Sequence, residues 1–388
     1  ANSSAIRAMF EEGNRLAGIY GAENVFDFSL GNPNVPAPAE VKNAIEEILK
    51  NEDARMVHGY MNNSGYEEVR QAVADNLNER FQWQYKMEDI IMTVGAASGI
   101  NDILNLFLDS GDEVVAFAPF FGEYRNYVIT AGGVLKAVPA DTETFQINID
   151  GLDAVITEKT KLIIVNNPNN PTGVIYSEET LRRIADILYA KEEEYHTQIV
   201  LISDEPYREL AYDGVEVPYL TEYYANTVVC YSWSKSLSLP GERIGYLVIP
   251  GELSDYELVY AAAGIATRVS GFVNAPSLMQ RAVARCLDAQ TDIEAYNRNR
   301  EALYQGLKSC GFACIKPQGA FYLFVKTPTE DEKEFVERAK KYHILVVPGS
   351  SFACPGYVRI AYCVSYETII HSLPYFQQLA EEYGLRGE

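Results

Sequence analysis

Lys235 stands in Ser232-Trp233-Ser234-Lys235-Ser236, directly after the apolar run Val228–Tyr231. A lysine at the mouth of a buried sheet is poorly solvated, and desolvation lowers its pKa from about 10.4 toward neutrality. The neutral amine is a nucleophile that condenses with an aldehyde to an imine. A solvated surface lysine is the plainer alternative. The flanking serines and Arg243 shift the balance, because they supply donors for a phosphate.

Asp204 closes the run Ile199–Ile202. A carboxylate there is either a helix N-cap or the partner of a buried cation. As a partner it can hold a protonated pyridine nitrogen, which keeps such a ring an electron sink. Tyr207 lies three residues on and, in a turn, shares the same site, where its hydroxyl can reach a phenolic oxygen on the ring. The segment Asn166-Asn167-Pro168-Asn169-Asn170-Pro171-Thr172-Gly173 is a dense turn after a strand. Turn formation explains the prolines and Gly173; the asparagine amides can also fix a ring oxygen. Gly95-Ala96-Ala97-Ser98-Gly99 is a small-residue strand-to-helix turn that can expose backbone N–H groups to an anion. Phe120-Phe121 follows Pro119, as core packing or as a platform for a flat cofactor. Arg359 interrupts the apolar strand Tyr357–Ala361, either as a snorkelling edge residue or as a fork for a substrate carboxylate.

The elements that must place these groups follow from hydrophobic period. Ile90–Val94, Glu113–Ala118, Leu162–Val165, Ile199–Ile202, Val228–Tyr231 and Ile244–Ile249 read as short strands. Helical spacing appears between them, at Ile100, Ile103, Leu104 and Phe107 and at Leu181, Ile184 and Leu188. Such alternation implies an α/β fold, a mostly parallel sheet covered on both faces, with ligands beyond the carboxyl ends of its strands. A long helix is expected from about Pro276 to Leu307. Strands at Gly319–Val325, His343–Val347 and Tyr357–Ala361 then indicate a smaller α+β domain. The loop-rich segment before Asn43 is too short for its own core and is expected to pack on that second domain.

The chain has 388 residues, 47% hydrophobic and 22% charged, and a net charge of −22. So acidic a surface repels phosphate backbones and anionic lipids, which argues against nucleic acid and membrane partners. No apolar run approaches the ~20 residues of a membrane span, and Ala1–Met9 lacks signal-peptide character, so a cytoplasmic location is expected. Six scattered cysteines and four histidines give neither a disulfide framework nor metal-ligand spacing. No phosphate-loop motif or well-placed G-x-G-x-x-G suggests a nucleotide-binding protein, and an acidic chain of this length leaves no room for an added DNA-binding region.

Taken together, Asn167-Pro168-Asn169-Asn170-Pro171-Thr172-Gly173, Asp204-Glu205-Pro206-Tyr207 and Ser232 through Lys235 to Arg243-Ile244-Gly245 resemble the fold-type I, class I/II pyridoxal-phosphate-dependent aminotransferases of the aspartate aminotransferase superfamily. The resemblance runs in the family's order from Gly31 to Arg359. It implies a large domain at 44–285 with a mostly parallel seven-stranded sheet, and a small α+β domain at 1–43 and 286–388. It implies Lys235 as the Schiff-base lysine and general base, Asp204 on the pyridine nitrogen, and Asn170 and Tyr207 on the ring oxygen. Ala96, Ala97, Ser232, Ser234 and Arg243 would bind the phosphate, and Phe121 would stack on the ring. Arg359 would take the substrate α-carboxylate, with the Gly31 backbone closing over it. Tyr60 resembles a tyrosine that reaches the neighbouring subunit's phosphate, and Asn274-Ala275-Pro276 a loop near the partner's site, which implies a homodimer with shared active sites. Arg268 falls about one residue from the place where aspartate-specific relatives carry a side-chain-carboxylate arginine.

Two departures stand out. The Gly95–Ser98 turn lacks a bulky residue, which favours backbone contacts to phosphate, and Pro206 replaces a usual hydrophobic and restrains the backbone before Tyr207. The implied activity is ping-pong transfer of an amino group from an L-amino acid (aspartate-like, aromatic or small neutral) to a 2-oxo acid such as 2-oxoglutarate. The alternative is a β-eliminating lyase of the cysteine-conjugate type on the same scaffold.

Overall fold

Strands whose residues are buried on both faces build the centre of the protein. The computed structural model describes residues 5–387. In chain order its strands are β1 (Phe26–Asp27), β2 (Ile90–Thr93), β3 (Glu113–Phe117), β4 (Val134–Val138), β5 (Thr160–Asn166), β6 (Val200–Asp204), β7 (Thr227–Ser232), β8 (Gly245–Val248), β9 (Tyr322–Lys326), β10 (Ile344–Leu345), β11 (Val347–Pro348) and β12 (Tyr357–Ala361). Seven of them form one sheet in the order β2-β8-β7-β6-β5-β3-β4. All pairs are parallel except those made by β8, which runs against both β2 and β7.

This reversal places the site. The carboxyl ends of β5, β6 and β7 lie side by side, with Asn166 opposite Asp204 and Asp204 opposite Cys230. Because β8 is antiparallel, its beginning reaches the same edge: Gly245 pairs with Ser232 on one side and Thr93 on the other. Arg243 therefore arrives from before a strand, whereas its neighbours arrive from after one.

Most expected strands form, with ends moved by one or a few residues, but the single strand expected at His343–Val347 is two, β10 paired with β1 and β11 paired with β12. β1 and β4 were not anticipated; β4 is an edge strand, four of its five residues apolar but only Val138 buried. The expected Pro276–Leu307 helix is two helices, Ser277–Ala284 and Ile293–Ser309. Between them the chain turns, and the Asp292 side chain caps the second helix by accepting from the Ala295 N–H at 3.0 Å.

β11, β12 and β9 form a separate antiparallel sheet. Its core joins Phe321, Leu323, Val325, Val358 and Ile360 to Leu303 and Leu307 of the Ile293–Ser309 helix and to Phe376 and Leu379 near the C-terminus. The segment before Asn43 packs there as expected: β1 pairs with β10, and Phe26 and Phe28 join that core. It also carries a helix, Ala5–Tyr20, that the loop-rich reading missed.

Candidate active site

The carboxyl edge of the large sheet opens on a cavity of about 600 Å³. Lys235, Asp204, Tyr207, Asn170, Ala96, Ala97, Phe121, Ser232, Ser234, Arg243, Arg359 and Gly31 all line it. Residues spread from 31 to 359 thus meet in one place: most follow or precede strands of the large sheet at this edge, while Gly31 follows β1 and Arg359 comes from the middle of β12.

Lys235 sits in the short Trp233–Ser236 helix that β7 feeds. Its Nζ donates to the Gly31 carbonyl at 2.5 Å and lies 5.4 Å from the Phe321 ring centre. Burial pulls its pKa down to about 8, and the Arg359 and Arg243 charges act in the same direction. The desolvation expected from sequence is therefore present.

Asp204 ends β6 and is almost fully buried. It caps no helix. The Tyr124 hydroxyl donates to its Oδ2, while Oδ1 is buried with no hydrogen-bond partner. Burial pushes its pKa up to about 7; the Tyr124 bond opposes that rise and the neighbouring Glu205 charge adds to it. Beneath the site, Glu205 accepts from the Ser203 hydroxyl at 2.5 Å and from Arg208 Nε at 2.6 Å. This buried pair braces the Asp204–Tyr207 turn, whose backbone Pro206 also restrains.

The four asparagines divide their work. Asn167 Oδ1 accepts from the Tyr176 N–H at 2.9 Å and Asn169 Oδ1 from the Thr172 hydroxyl at 2.8 Å, so these two build the loop. Asn166 and Asn170 face the cavity. Asn170 Oδ1 accepts from Arg359 Nη1 at 2.9 Å, and Arg359 Nη2 donates to the Ser29 carbonyl at 2.6 Å. Arg359 is 1% exposed, which removes the snorkelling alternative, and its Nε is unpartnered.

At the other end Gly95 has φ +81°, and a Cβ on it would stand 2.7 Å from Arg243 Nη2. Only glycine lets the guanidinium pass this close to the turn. Arg243 itself has φ +53° and donates to the Pro240 carbonyl at 2.9 Å. The Ala96–Phe107 helix starts here, and its first N–H groups favour an anion.

Not every expected residue joins. Tyr60 is 91% exposed and lines a different hollow with Phe272 and Asn274. Arg268 lies near the end of the Tyr256–Val269 helix and is not among the cavity's lining residues. Phe120 packs in the core, whereas Phe121 lines the cavity.

Sequence reasoning missed several groups. Tyr124 comes one helical turn after Phe121, a spacing that could have revealed it. Tyr322 donates to or accepts from Tyr207 at 2.8 Å between hydroxyls and lies under Arg359, whose guanidinium carbon is 4.4 Å from its ring centre. Tyr127 and the residues Ile6, Arg7, Phe10 and Glu11 also line the cavity. Nothing local in the sequence marks them.

The sequence pattern of the family described as aminotransferase class I and II matches residues 23–373. An aromatic-amino-acid aminotransferase 2 from Thermococcus litoralis is 31% identical over 401 aligned positions, covering 99% of this chain and 97% of that protein. An aspartate aminotransferase from Thermotoga maritima is 29% identical, covering 90% of each. Among solved structures, an amino transferase from Eubacterium rectale superposes with a TM-score of 0.97 at 47% identity, over 99% of this chain and 97% of that one. The aspartate aminotransferase of Thermus thermophilus with maleate gives 0.86 at 29% identity, over 97% of both.

Proposed function

Because this chain belongs to the class I and II aminotransferases, which depend on pyridoxal phosphate and move an amino group from an amino acid to a 2-oxo acid, we propose that the cavity at the sheet edge is where it does so. The observation that carries this reading is one shared wall. Lys235, Asp204 and Arg359 line the same space, and Asp204 Oδ1 and Arg359 Nε are buried beside it without hydrogen-bond partners.

The residues fit the cofactor. A buried carboxylate oxygen without a partner is costly unless a cation or donor meets it, and a protonated ring nitrogen is such a group. The glycine-lined passage at Gly95, with Arg243, Ser232, Ser234 and the first N–H groups at Ala96 and Ala97, suits a phosphate. Phe121 offers a face to the ring, and Asn170 and Tyr207 offer donors to its oxygen.

When bound, pyridoxal phosphate supplies an aldehyde that takes up the amino group and a cationic ring that draws electrons from the substrate's Cα. Asp204 would keep that ring protonated. Lys235 would hold the aldehyde carbon and, once displaced, would take the proton from the substrate's Cα and pass it to the carbon it had held; burial, which lowers its pKa to about 8, favours the neutral amine this requires. Arg359 receives the α-carboxylate on a guanidinium already oriented by Asn170 and Ser29, which reduces the freedom lost on binding.

The working unit is a homodimer in this reading. Tyr60 is exposed, and so are Leu258, Val269 and Phe272 at 72%, 76% and 43%. An apolar surface of this kind is suited to a second copy, which would bring Tyr60 to its neighbour's phosphate site. The same reading divides the chain into a large domain at 44–285 and a small one at 1–43 and 286–388, and places the protein in the cytoplasm, where cysteines that are all unpaired stay reduced.

Lys235→Ala is the direct test. The reconstituted variant should lose the visible absorbance of lysine-bound cofactor and nearly all transfer activity. Wild-type absorbance in the variant would reject the assignment.

A further inference from the structure

The Ala5–Tyr20 helix is anchored at both ends, with Ile6 packed on the cluster that holds Phe324 and Phe352 and Met9 on the small-domain core, and its first turns border the cavity. Tyr20 stacks on His343 with ring centres 4.3 Å apart, and Leu16 packs with Val25 and Leu345. Gly13 sits so close to Asp27 that a Cβ there would meet Oδ2 at 2.6 Å. One turn apart on the cavity side stand Ile6 and Phe10, and Leu30 adds to the same apolar lining.

The charges around this wall are spoken for. Arg359 is tied to Asn170 and the Ser29 carbonyl, and Arg243 to the Pro240 carbonyl at the opposite, phosphate end. Arg7 pairs with Glu11 at 3.2 Å, both of them largely exposed. Glu123 adds negative charge to the lining, while the Arg7–Glu11 pair adds none. A second carboxylate on a substrate side chain would meet apolar surface, the Glu123 carboxylate and a guanidinium already paired with Glu11. An apolar side chain would be removed from water at no such penalty.

We propose that the N-terminal helix is a specificity element: Ile6 and Phe10 receive the amino donor's side chain and select a neutral apolar or aromatic amino acid over aspartate and glutamate. This rests on the cavity being the site of transfer.

The test is the donor half-reaction of the reconstituted holoenzyme, without any 2-oxo acid. Loss of the cofactor's visible band is followed in single turnovers with phenylalanine, leucine, aspartate or glutamate. Phenylalanine and leucine should react at least about tenfold faster, per molar donor, than the two dicarboxylic acids. Phe10 is 38% exposed, so Phe10→Ala should leave melting temperature and absorbance unchanged. It should slow phenylalanine about tenfold while moving aspartate little, and Phe10→Arg should reverse the preference toward aspartate. Arg7→Ala should leave the order of donors intact.

Faster reaction of aspartate or glutamate in the wild type overturns the proposal, as does a Phe10→Ala effect equal for all donors. Loss of dicarboxylate reactivity in Arg7→Ala or Arg268→Ala, from a wild type that prefers those donors, would identify the cation responsible. These outcomes leave the site itself standing. Retention of the band in Lys235→Ala removes both the site and the specificity built on it.

Discussion

Tyr124 donates its hydroxyl to Oδ2 of Asp204, and the carboxylate's other oxygen is buried without any partner. One oxygen is thus fixed by the protein and the other is left for a group that the protein does not supply. Removing the fixed half tests whether the arrangement matters. Tyr124→Phe should lower kcat/KM about tenfold, since a hydrogen bond to a charged group is worth about 1.5–3 kcal/mol. Tyr124 holds the Asp204 pKa down, so the acid limb of the kcat/KM–pH profile should also move to higher pH. Loss of rate with an unmoved profile would make Tyr124 a packing residue only.

Asp204 also weighs on the stability of the apoprotein. Its folded pKa, about 7, lies above the unfolded value of about 3.9. Between those values the folded state holds a proton that the unfolded state has released, so its contribution to stability falls as pH rises from about 4 to 7. Above pH 7 the penalty is fully present. Asp204→Asn should therefore raise the apoprotein's melting temperature by a few degrees at pH 8 and hardly at all at pH 4, while weakening cofactor binding. A thermal scan of the apoproteins at both pH values decides this.

Lys235 has the opposite sense. Burial lowers its pKa to about 8, so the neutral amine grows about tenfold per pH unit below that value and levels off above it. The rate at which apoprotein takes up pyridoxal phosphate should follow that curve between pH 6 and 9. A midpoint near 10.4, the value of a solvated lysine, would contradict the desolvated setting.

Gly31 and Tyr322 are coupled by contact. A Cβ at Gly31 would fall 2.0 Å from the Tyr322 hydroxyl, which is bonded to Tyr207. Gly31→Ala should displace that hydroxyl and lower activity about as much as Tyr322→Phe. The double variant should be little worse than either single one. Additive losses would show that Gly31 acts elsewhere.

The homodimer reading predicts complementation. Tyr60→Phe and Lys235→Ala chains, each impaired alone, should regain up to about a quarter of wild-type activity when mixed and reassembled, because a hybrid dimer then holds one intact site. No recovery, with hybrids verified by mass, would place Tyr60 outside the neighbour's site.

Much was legible before any fold was known. Lys235, Asp204 and Arg359 are polar residues set at or within apolar runs, and short buried runs alternating with helical periodicity announce a parallel sheet. A polar residue closing or interrupting an apolar run is a local pattern, so sequence alone determined most strands of the large sheet and marked these three residues as candidates, each with a plainer alternative still open. What it could not determine is whatever depends on which segments become neighbours. The antiparallel course of β8 brings Arg243 to the edge from the wrong side of a strand. Strand β4 takes its place at the sheet edge only through its pairing with β3, and the break between the Ser277–Ala284 and Ile293–Ser309 helices carries no apolar period to announce it. The tyrosines at 124 and 322, and the helix that sets Ile6 and Phe10 over the cavity, matter only through contacts made across the chain. Tertiary packing alone decided those, because a hydroxyl or a ring acquires its role from what it touches.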